Sequence, residues 1–406
     1  MRSSEIIPSF AMAKENKKTR EQSARTRLTK ARRIIVKIGS RALAEGSGIA
    51  RGQSTATATE PNIWSRLASD VATVTGASAT SKRGKRKGKK QRSLVLVSSG
   101  AIAFGVKELG FRRRPKEMAS LQAAAAAGQG ILMHRYAEAF GSHGLSVAQV
   151  LLTHADLSHR DRANNARDAL QKLLDLGAVP IINENDAVAV DEIRFGDNDA
   201  LAAMVAPMCE ADVVLLLSDV EGVLDPRGKR VSEIHSIDEA NSWLKDGDST
   251  LGTGGMRSKL EAAHRATLAG ADVVIAAAHT PQVIQRVLAG EDIGTLLPGR
   301  GRRLRTRKHW IAYTLRPNGA AIVDAGAAQA ISEEGRSVLC VGVLGIRGDF
   351  EVGDAITIAD ANGNTLARGL TRLSASDAAR LASQRDHGAR APILIHRDDL
   401  VVLGKE

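Results

Sequence analysis

The sequence predicts an α/β protein: a layered domain built on parallel strands, followed by a small β-rich domain. Three observations carry this expectation. From residue 33 to about 297, short β-branched runs alternate with longer segments of helical periodicity. Such alternation implies parallel strands joined by crossover helices. The 406 residues exceed the roughly 250–300 at which one core stops growing. Beyond Leu297 the helical periods give way to short strand-like pieces broken by glycine.

Taken in order, Ile34–Ile38 is a first strand ending at Gly39-Ser40, and Ile63, Trp64, Leu67, Val71 and Val74 then fall at helical spacing. Leu94–Val97 is a second strand, running into Ser98-Ser99-Gly100-Ala101 at the start of a helix. An Ala-rich helix covers about 116–140, strand 147–152 precedes helix 161–176, and strand 179–182 leads into a polar loop. Helix 199–208, strand 212–217, a glycine-rich loop at 252–255, helix 256–269, strand 272–277 and helix 281–289 complete the series. The domain boundaries expected are an extension at 1–31, the α/β domain at 32–297, a linker at 298–305 within the basic run 299–308, and a small domain at 306–403.

Hydrophobic residues make up 43% of the chain and aromatics only 3%, so the core must rest on Ala, Val, Leu and Ile. The net charge of +12 is concentrated. Residues 1–33 carry ten Lys/Arg against three Glu, and residues 82–92 carry eight Lys/Arg and no acid. Together these segments outweigh the total, so the folded body is slightly acidic. Residues 1–31 lack hydrophobic periodicity and read as a disordered tail, and 76–92 reads as a flexible basic insert. A basic surface also suits nucleic acid or another anionic partner. Glu5, Glu15 and Glu21 argue against a transit peptide. No apolar run approaches the ~18 residues needed to span a bilayer, so no membrane partner is expected. Cys209 and Cys340 form neither a disulfide framework nor a zinc pattern, which fits a cytoplasmic protein.

In an open parallel sheet, ligands bind beyond the carboxyl ends of the strands. Lys37-Ile38-Gly39-Ser40 could meet a phosphate there, or Lys37 could simply snorkel. Ser98–Ala101 is either an anion site at a helix N-terminus or a plain N-cap with a tight turn. Asn183-Glu184-Asn185-Asp186, Asp191-Glu192 and Gly196-Asp197-Asn198-Asp199 could hold an amino group, position a carboxylate or support Mg2+. The alternative is an Asx-rich turn with Asp197 capping the next helix. Ser218-Asp219 follows a later strand, and Gly252–Lys259 opens a helix as a candidate phosphate cradle that matches neither a Walker A loop nor a G-x-G-x-x-G fingerprint. No Cys-His or Ser-His-Asp nucleophile set accompanies these turns. Two lysines, glycine-rich turns and an acidic cluster suit phosphoryl transfer, where positioning and charge neutralisation do most of the work.

These segments, Val36–Ser40, Val97–Ala103, Ile182–Val188, Gly196–Asp199 and Gly252–Lys259, resemble the successive motifs of glutamate 5-kinases, of the amino acid kinase superfamily. Residues about 306–403 resemble a PUA domain. The resemblance implies a three-layer α/β/α sandwich around a mainly parallel sheet. It also implies ATP and Mg2+ as cofactors, L-glutamate as acceptor and L-glutamyl 5-phosphate as product, the first step toward proline. By the same resemblance, Lys37 and Lys259 are catalytic and neutralise the transferring phosphoryl group. Ser99, Gly100, Asp186 and Asn198 bind glutamate, with Asp186 facing its α-ammonium. Gly39, Ser40 and Gly100 offer backbone N–H groups to phosphate or carboxylate oxygens. ATP is held by Lys37, Gly39, Ser40, Ser218, Asp219, Thr253, Gly254, Gly255, Met256, Arg257, Ser258 and Lys259. Proline is implied as inhibitor, a dimer or tetramer as assembly, and RNA as a candidate ligand of the PUA-like domain. One departure is the stretch Leu224–Arg227, shorter than usual and lacking an aromatic, which leaves the adenine side unassigned.

Two rival readings differ in testable ways. Acetylglutamate kinases, aspartokinases and uridylate kinases share glycine turns and lysines, but an acidic run at 183–199 suits a free α-ammonium better than an N-acetyl group or uracil. Aspartokinases also normally carry ACT domains. An RNA-binding protein is the other rival, yet its basic segments lack the interleaved aromatics that stack on single-stranded bases.

Overall fold

In the computed structural model, β1 (Arg33–Ile38) runs through a seven-stranded sheet with β2 (Ser93–Val97) on one side and β5 (Val213–Ser218) on the other. The structure describes residues 24–45, 62–77, 92–189, 198–244, 255–300, 308, 310–384 and 391–403. With β3 (Val147–Leu152), β4 (Val179–Glu184), β6 (Asp272–Ala277) and β7 (Thr295–Leu297), the strand order is β3-β4-β2-β1-β5-β6-β7. Every neighbouring pair is parallel except β6 with β7. The central strands are near-continuous apolar runs because both faces of a parallel sheet are covered by helices.

The two faces separate residue by residue. Ile34, Val36 and Ile38 join a core with Trp64, Leu67 and Val71 of α3 (Ile63–Thr75), Leu132, Tyr136 and Phe140 of α5 (Met118–Gly141), and Ile284 and Val287 of α11 (Val283–Leu288). Ile35 points the other way, into a core with Leu201 and Val205 of α8 (Asn198–Met208) and Leu260 and Ala263 of α10 (Met256–Leu268). The result is the expected three-layer sandwich. Its period-2 alternation also puts Lys37 on the α8 and α10 side of the sheet.

Helix α4 (Ala101–Glu108) crosses α5 at two glycines. A Cβ on Gly105 would lie 1.7 Å from the Ala124 carbonyl oxygen, and one on Gly128 would lie 1.8 Å from that of Ala101. Gly128→Ala is therefore expected to destabilise the fold by about 3 kcal/mol, through backbone displacement. Gly130→Ala, on the same helix with open space around it, should be neutral or stabilise by up to about 1 kcal/mol. Denaturant melts of the two variants check this contrast.

The expectation of a featureless tail over 1–31 needs correction. Residues 24–30 form a helix, α1, whose Ala24 and Leu28 are buried in the first core. Arg27 on this helix donates to both oxygens of Asp272, at 2.6 and 3.2 Å. With one large apolar side chain, α1 shows no periodicity in the sequence; tertiary contacts hold it. Residues 1–23 lie outside the described residues. So do 78–91 of the basic insert expected over 76–92. Gly76 of that stretch is the left-handed C-cap of α3 (φ 70). Arg92 is also ordered, donating to the Ala31 and Thr29 carbonyls at 3.0 and 2.7 Å.

The chain divides into units Met1–Arg302 and Arg303–Glu406. Within the second, β8 (Gly319–Val323), β10 (Val343–Gly348), β11 (Ala355–Ala359), β12 (Thr365–Leu370) and β14 (Leu400–Val402) form a sheet in the order β10-β8-β11-β12-β14. Strands β9 (Val338–Leu339) and β13 (Ile393–Ile395) pair separately. Two helices absent from the sequence reading, α12 (Ala325–Glu334) and α13 (Ala375–Ser383), start at Asp324 and Ser374, whose side chains accept from the N–H of Ala327 and Asp377. Phe350, Ile356, Ile358 and Leu394 are buried in this unit's core. Among the described residues no helix is long and apolar enough to cross a membrane.

Candidate active site

Parallel pairing brings the carboxyl ends of β4, β2, β1 and β5 to one edge of the sheet, where Lys37, Ser98-Ser99, Asn183-Glu184 and Ser218 stand. The strongest feature there is a buried carboxylate between two buried amines. Lys37 Nζ lies 2.6 Å from Asp199 Oδ1, and Lys259 Nζ lies 3.2 Å from Asp199 Oδ2. Asp199 is 0% exposed and each lysine 7%. The sequence explains the convergence. Lys37 faces α8 and α10 by strand alternation, Asp199 is in the first turn of α8, and Lys259 is in the first turn of α10. Burial pushes the Asp199 carboxyl upward, but the two ammonium groups outweigh it and hold the carboxyl below its ordinary value. The three side chains together carry one positive charge in excess, placed where an anionic group would enter.

A second group surrounds Asn198, the neighbour of Asp199. Its amide donates to the Ser98 carbonyl (2.8 Å), Ser99 Oγ (2.6 Å) and Asn183 Oδ1 (3.2 Å). Asn183 in turn donates to Gln129 Oε1 at 2.9 Å. Among the described residues, the buried Asn198 Oδ1 and Gln129 Nε2 make no hydrogen bond. Buried polar atoms are normally paired, so these two have capacity for a further polar partner. Ser98, by contrast, is structural: its hydroxyl meets the Tyr136 hydroxyl at 2.9 Å inside the core. Asp186 follows the end of β4. Burial raises its pKa to about 6, opposed by the charge of Arg114. It is mostly ionised at pH 7, yet poorly solvated, which favours a cationic partner.

The third group lies at β5 and α10. Ser218 Oγ donates to Asp219 Oδ1 (2.9 Å), and Arg41 pairs with Asp219 at 2.9 Å. Gly255 is the N-cap of α10 with no side-chain cap, so Met256, Arg257 and Ser258 begin the helix with backbone N–H groups open to an anion. Ser258 Oγ donates to the Gly255 carbonyl at 3.0 Å. Thr253 and Gly254 lie outside the described residues, as do Asp191, Glu192 and Asp197. Gly100 is the N-cap of α4 in the left-handed region (φ 101) and adjoins Ser40. Gly39 corrects one expectation: its N–H donates to the Leu217 carbonyl at 3.3 Å, continuing the sheet, and is not presented to a ligand.

Sequence reasoning missed three members of this site. Asp199 stands inside a motif already singled out, and its position in the first turn of an apolar helix was the available signal. Asn183 likewise lay within a quoted motif. Gln129 is one polar residue in an Ala-rich helix, and nothing in the sequence distinguishes it. Among the described residues no group of three or more His, Cys, Asp or Glu side chains is gathered as a metal site.

Residues 32–277 match the Amino acid kinase family, and residues 319–391 match the PUA domain. A relative from Gloeobacter violaceus named glutamate 5-kinase is 46% identical over 349 residues, covering 82% of this chain and 94% of the relative. Another glutamate 5-kinase, from Myxococcus xanthus, is 41% identical over 395 residues, covering 94% of this chain and 99% of the relative. Among solved structures, N-acetylglutamate synthase from Neisseria gonorrhoeae with coenzyme A and N-acetyl-glutamate aligns at TM-score 0.47 and 17% identity, over 70% of this chain and 63% of that one.

Proposed function

We infer the reaction of a chain that belongs to the amino acid kinase family: it is a glutamate 5-kinase, transferring the γ-phosphoryl group of ATP to the side-chain carboxylate of L-glutamate. The observation that carries the chemistry is Asp199 bracketed by Lys37 and Lys259 at the strand ends. The acceptor carboxylate is already ionised at pH 7, so no general base is needed. One of its oxygens attacks the γ-phosphorus, the bond to the β,γ-bridging oxygen breaks, and ADP leaves with that electron pair. The charge that develops on the transferring group and the leaving oxygen falls to the ammonium groups of Lys37 and Lys259. Asp199 holds both in place and keeps their mutual repulsion low.

Glutamate takes the second group. Asp186 receives its α-ammonium, while Asn198, Ser99 and the N-terminus of α4 at Gly100 orient its carboxylates. ATP takes the third, with Ser40, Ser218, Asp219 and the 253–259 turn around its phosphates. Among the described residues no cluster of three or more His, Cys, Asp or Glu is gathered to ligate a metal, so a Mg2+ would be held chiefly by the ATP phosphates and water. When bound, Mg2+ neutralises phosphate charge.

Proline shares the ammonium and α-carboxylate of glutamate, and its inhibition is assigned to the same Asp186 end. We also assign the chain to the cytoplasm and to a homo-oligomer, with RNA a candidate ligand of the PUA unit.

Asp186 gives this reading a pH dependence. Its carboxyl gains a proton as pH falls through about 6, and the neutral form cannot pair with an ammonium. The KM for glutamate should therefore rise about tenfold between pH 7 and 5, with the KM for ATP changing little. Asp186→Asn should raise the glutamate KM, flatten this acid limb and weaken proline inhibition together. Unchanged proline inhibition in a variant that no longer saturates with glutamate would separate the two sites. The acceptor itself is tested by ADP release from MgATP with L-glutamate, L-aspartate, N-acetylglutamate or UMP. Turnover with glutamate alone supports the assignment, and turnover with another acceptor overturns it.

A further inference from the structure

Helix α1 precedes the residues that match the kinase family, yet it carries a cation sunk into that domain. Arg25 is 8% exposed. Its Nη1 donates to the carbonyls of Glu291 (2.7 Å) and Ile293 (3.4 Å). Its Nη2 donates to the Ser232 carbonyl (2.9 Å) and hydroxyl (3.3 Å) and lies 2.8 Å from the Asp292 carboxylate. Asp292 also accepts from Arg230 Nη1 (3.1 Å) and Ser232 Oγ (2.7 Å), and burial of its carboxyl is outweighed by these donors, so its pKa lies below the ordinary value. Arg230 donates further to the Asp292 and Gly294 carbonyls.

This cluster sits at the foot of the segment that leaves β5 at Ser218-Asp219 and returns through Val231 and Ser232. A few residues away, the Thr295 hydroxyl accepts from the Val223 N–H (2.8 Å) and donates to the Val231 carbonyl (2.6 Å). A Cβ on Gly222 would lie 2.6 Å from that hydroxyl, so the outgoing limb is pressed against it. Thr295 thus ties the two limbs together, and Arg25, Arg230 and Asp292 hold the returning limb at Ser232. A guanidinium with carbonyl acceptors on two chain segments fixes their relative register in a way that a single apolar contact does not.

We propose that Arg25 is a positioning residue for the nucleotide: from α1 it locks the returning limb of the 219–232 segment, and so sets the strand end at Ser218-Asp219 that ATP occupies. This rests on the nucleotide reading of that strand end. Its effect is on ATP and not on glutamate, whose residues lie on β4, α4 and α8.

The test is a kinetic split on the full-length enzyme, with MgATP titration calorimetry beside it. Arg25→Ala should raise the KM and Kd for ATP about fivefold, with the glutamate KM changed less than about twofold. Arg25→Lys, which keeps the charge and loses the fork, should fall between. If Arg25→Ala does not fold, Asp292→Asn decides; its side chain is 55% exposed, and it should raise the ATP KM in the same selective way. A merely structural role would lower the active fraction and leave both KM values in place. That result, or equal rises for both substrates, overturns the proposal. The absence of glutamate-dependent turnover in the unaltered enzyme would instead overturn the reaction assignment, and the ATP Kd would still report on Arg25.

Discussion

Lys37→Ala is expected to lower kcat about a thousandfold, while the KM values for ATP and glutamate move less than about fivefold. The reason lies in charge placement. In the resting site Lys37 and Lys259 share one carboxylate, so the trio carries a charge of +1. Removing either lysine leaves a neutral pair and takes away the excess charge that the transferring phosphoryl group meets. Charge grows on that group only as the reaction proceeds, so the loss falls on turnover and much less on ground-state binding. Lys259→Ala should behave alike, and the double variant should cost less than the product of the two, because both act on one group through one carboxylate. Steady-state kinetics with both substrates varied measure all three. Raised KM values with kcat unchanged would assign the lysines to binding alone.

Asp199→Asn should be severe in a second way. It leaves two buried ammonium groups without their shared counter-ion, and breaking a buried ion pair by removing one partner typically costs about 3–5 kcal/mol. The variant should melt well below the unaltered enzyme and lose most of its turnover. MgATP should then recover more of the melting temperature in the variant than in the parent, since the phosphates replace the lost negative charge. The pH dependence has a definite sign. The Asp199 carboxyl is held below its ordinary value of 3.8, so its contribution to stability is present above about that pH. It is lost as pH falls through the lower folded value. Thermal melts between pH 3 and 7 should show this acid loss in the parent and a weaker one in Asp199→Asn.

What the sequence could and could not reveal follows from where each signal resides. The strands of the first unit were legible because both faces are buried, so Ile34–Ile38 and Val213–Leu217 read as apolar runs. Their carboxyl ends then pointed to the candidate site before any side-chain geometry was known. Asp199 was harder: it looks like one more acid where a polar run meets a helix, and only the packing of α8 over β1 turns it inward. Gly39 illustrates the opposite error, since its amide is consumed by the β5 neighbour that sequence alone cannot supply. Helix α1 was invisible because its stability comes from Arg25, Arg27 and Leu28 reaching partners more than two hundred residues away or deep in the core. The helices of the second unit start from Asp324 and Ser374, caps that merge with turns among short glycine-broken strands.

The most direct test of the central claim is to trap the product. MgATP and L-glutamate are incubated with the enzyme in hydroxylamine, which converts an acyl phosphate to a hydroxamate. The account expects γ-glutamyl hydroxamate at the rate of ADP release, and the loss of both in Lys37→Ala. ADP release without hydroxamate, or hydroxamate formed with equal speed from an acceptor lacking a free α-amino group, would contradict phosphoryl transfer to a glutamate carboxylate held by Asp186.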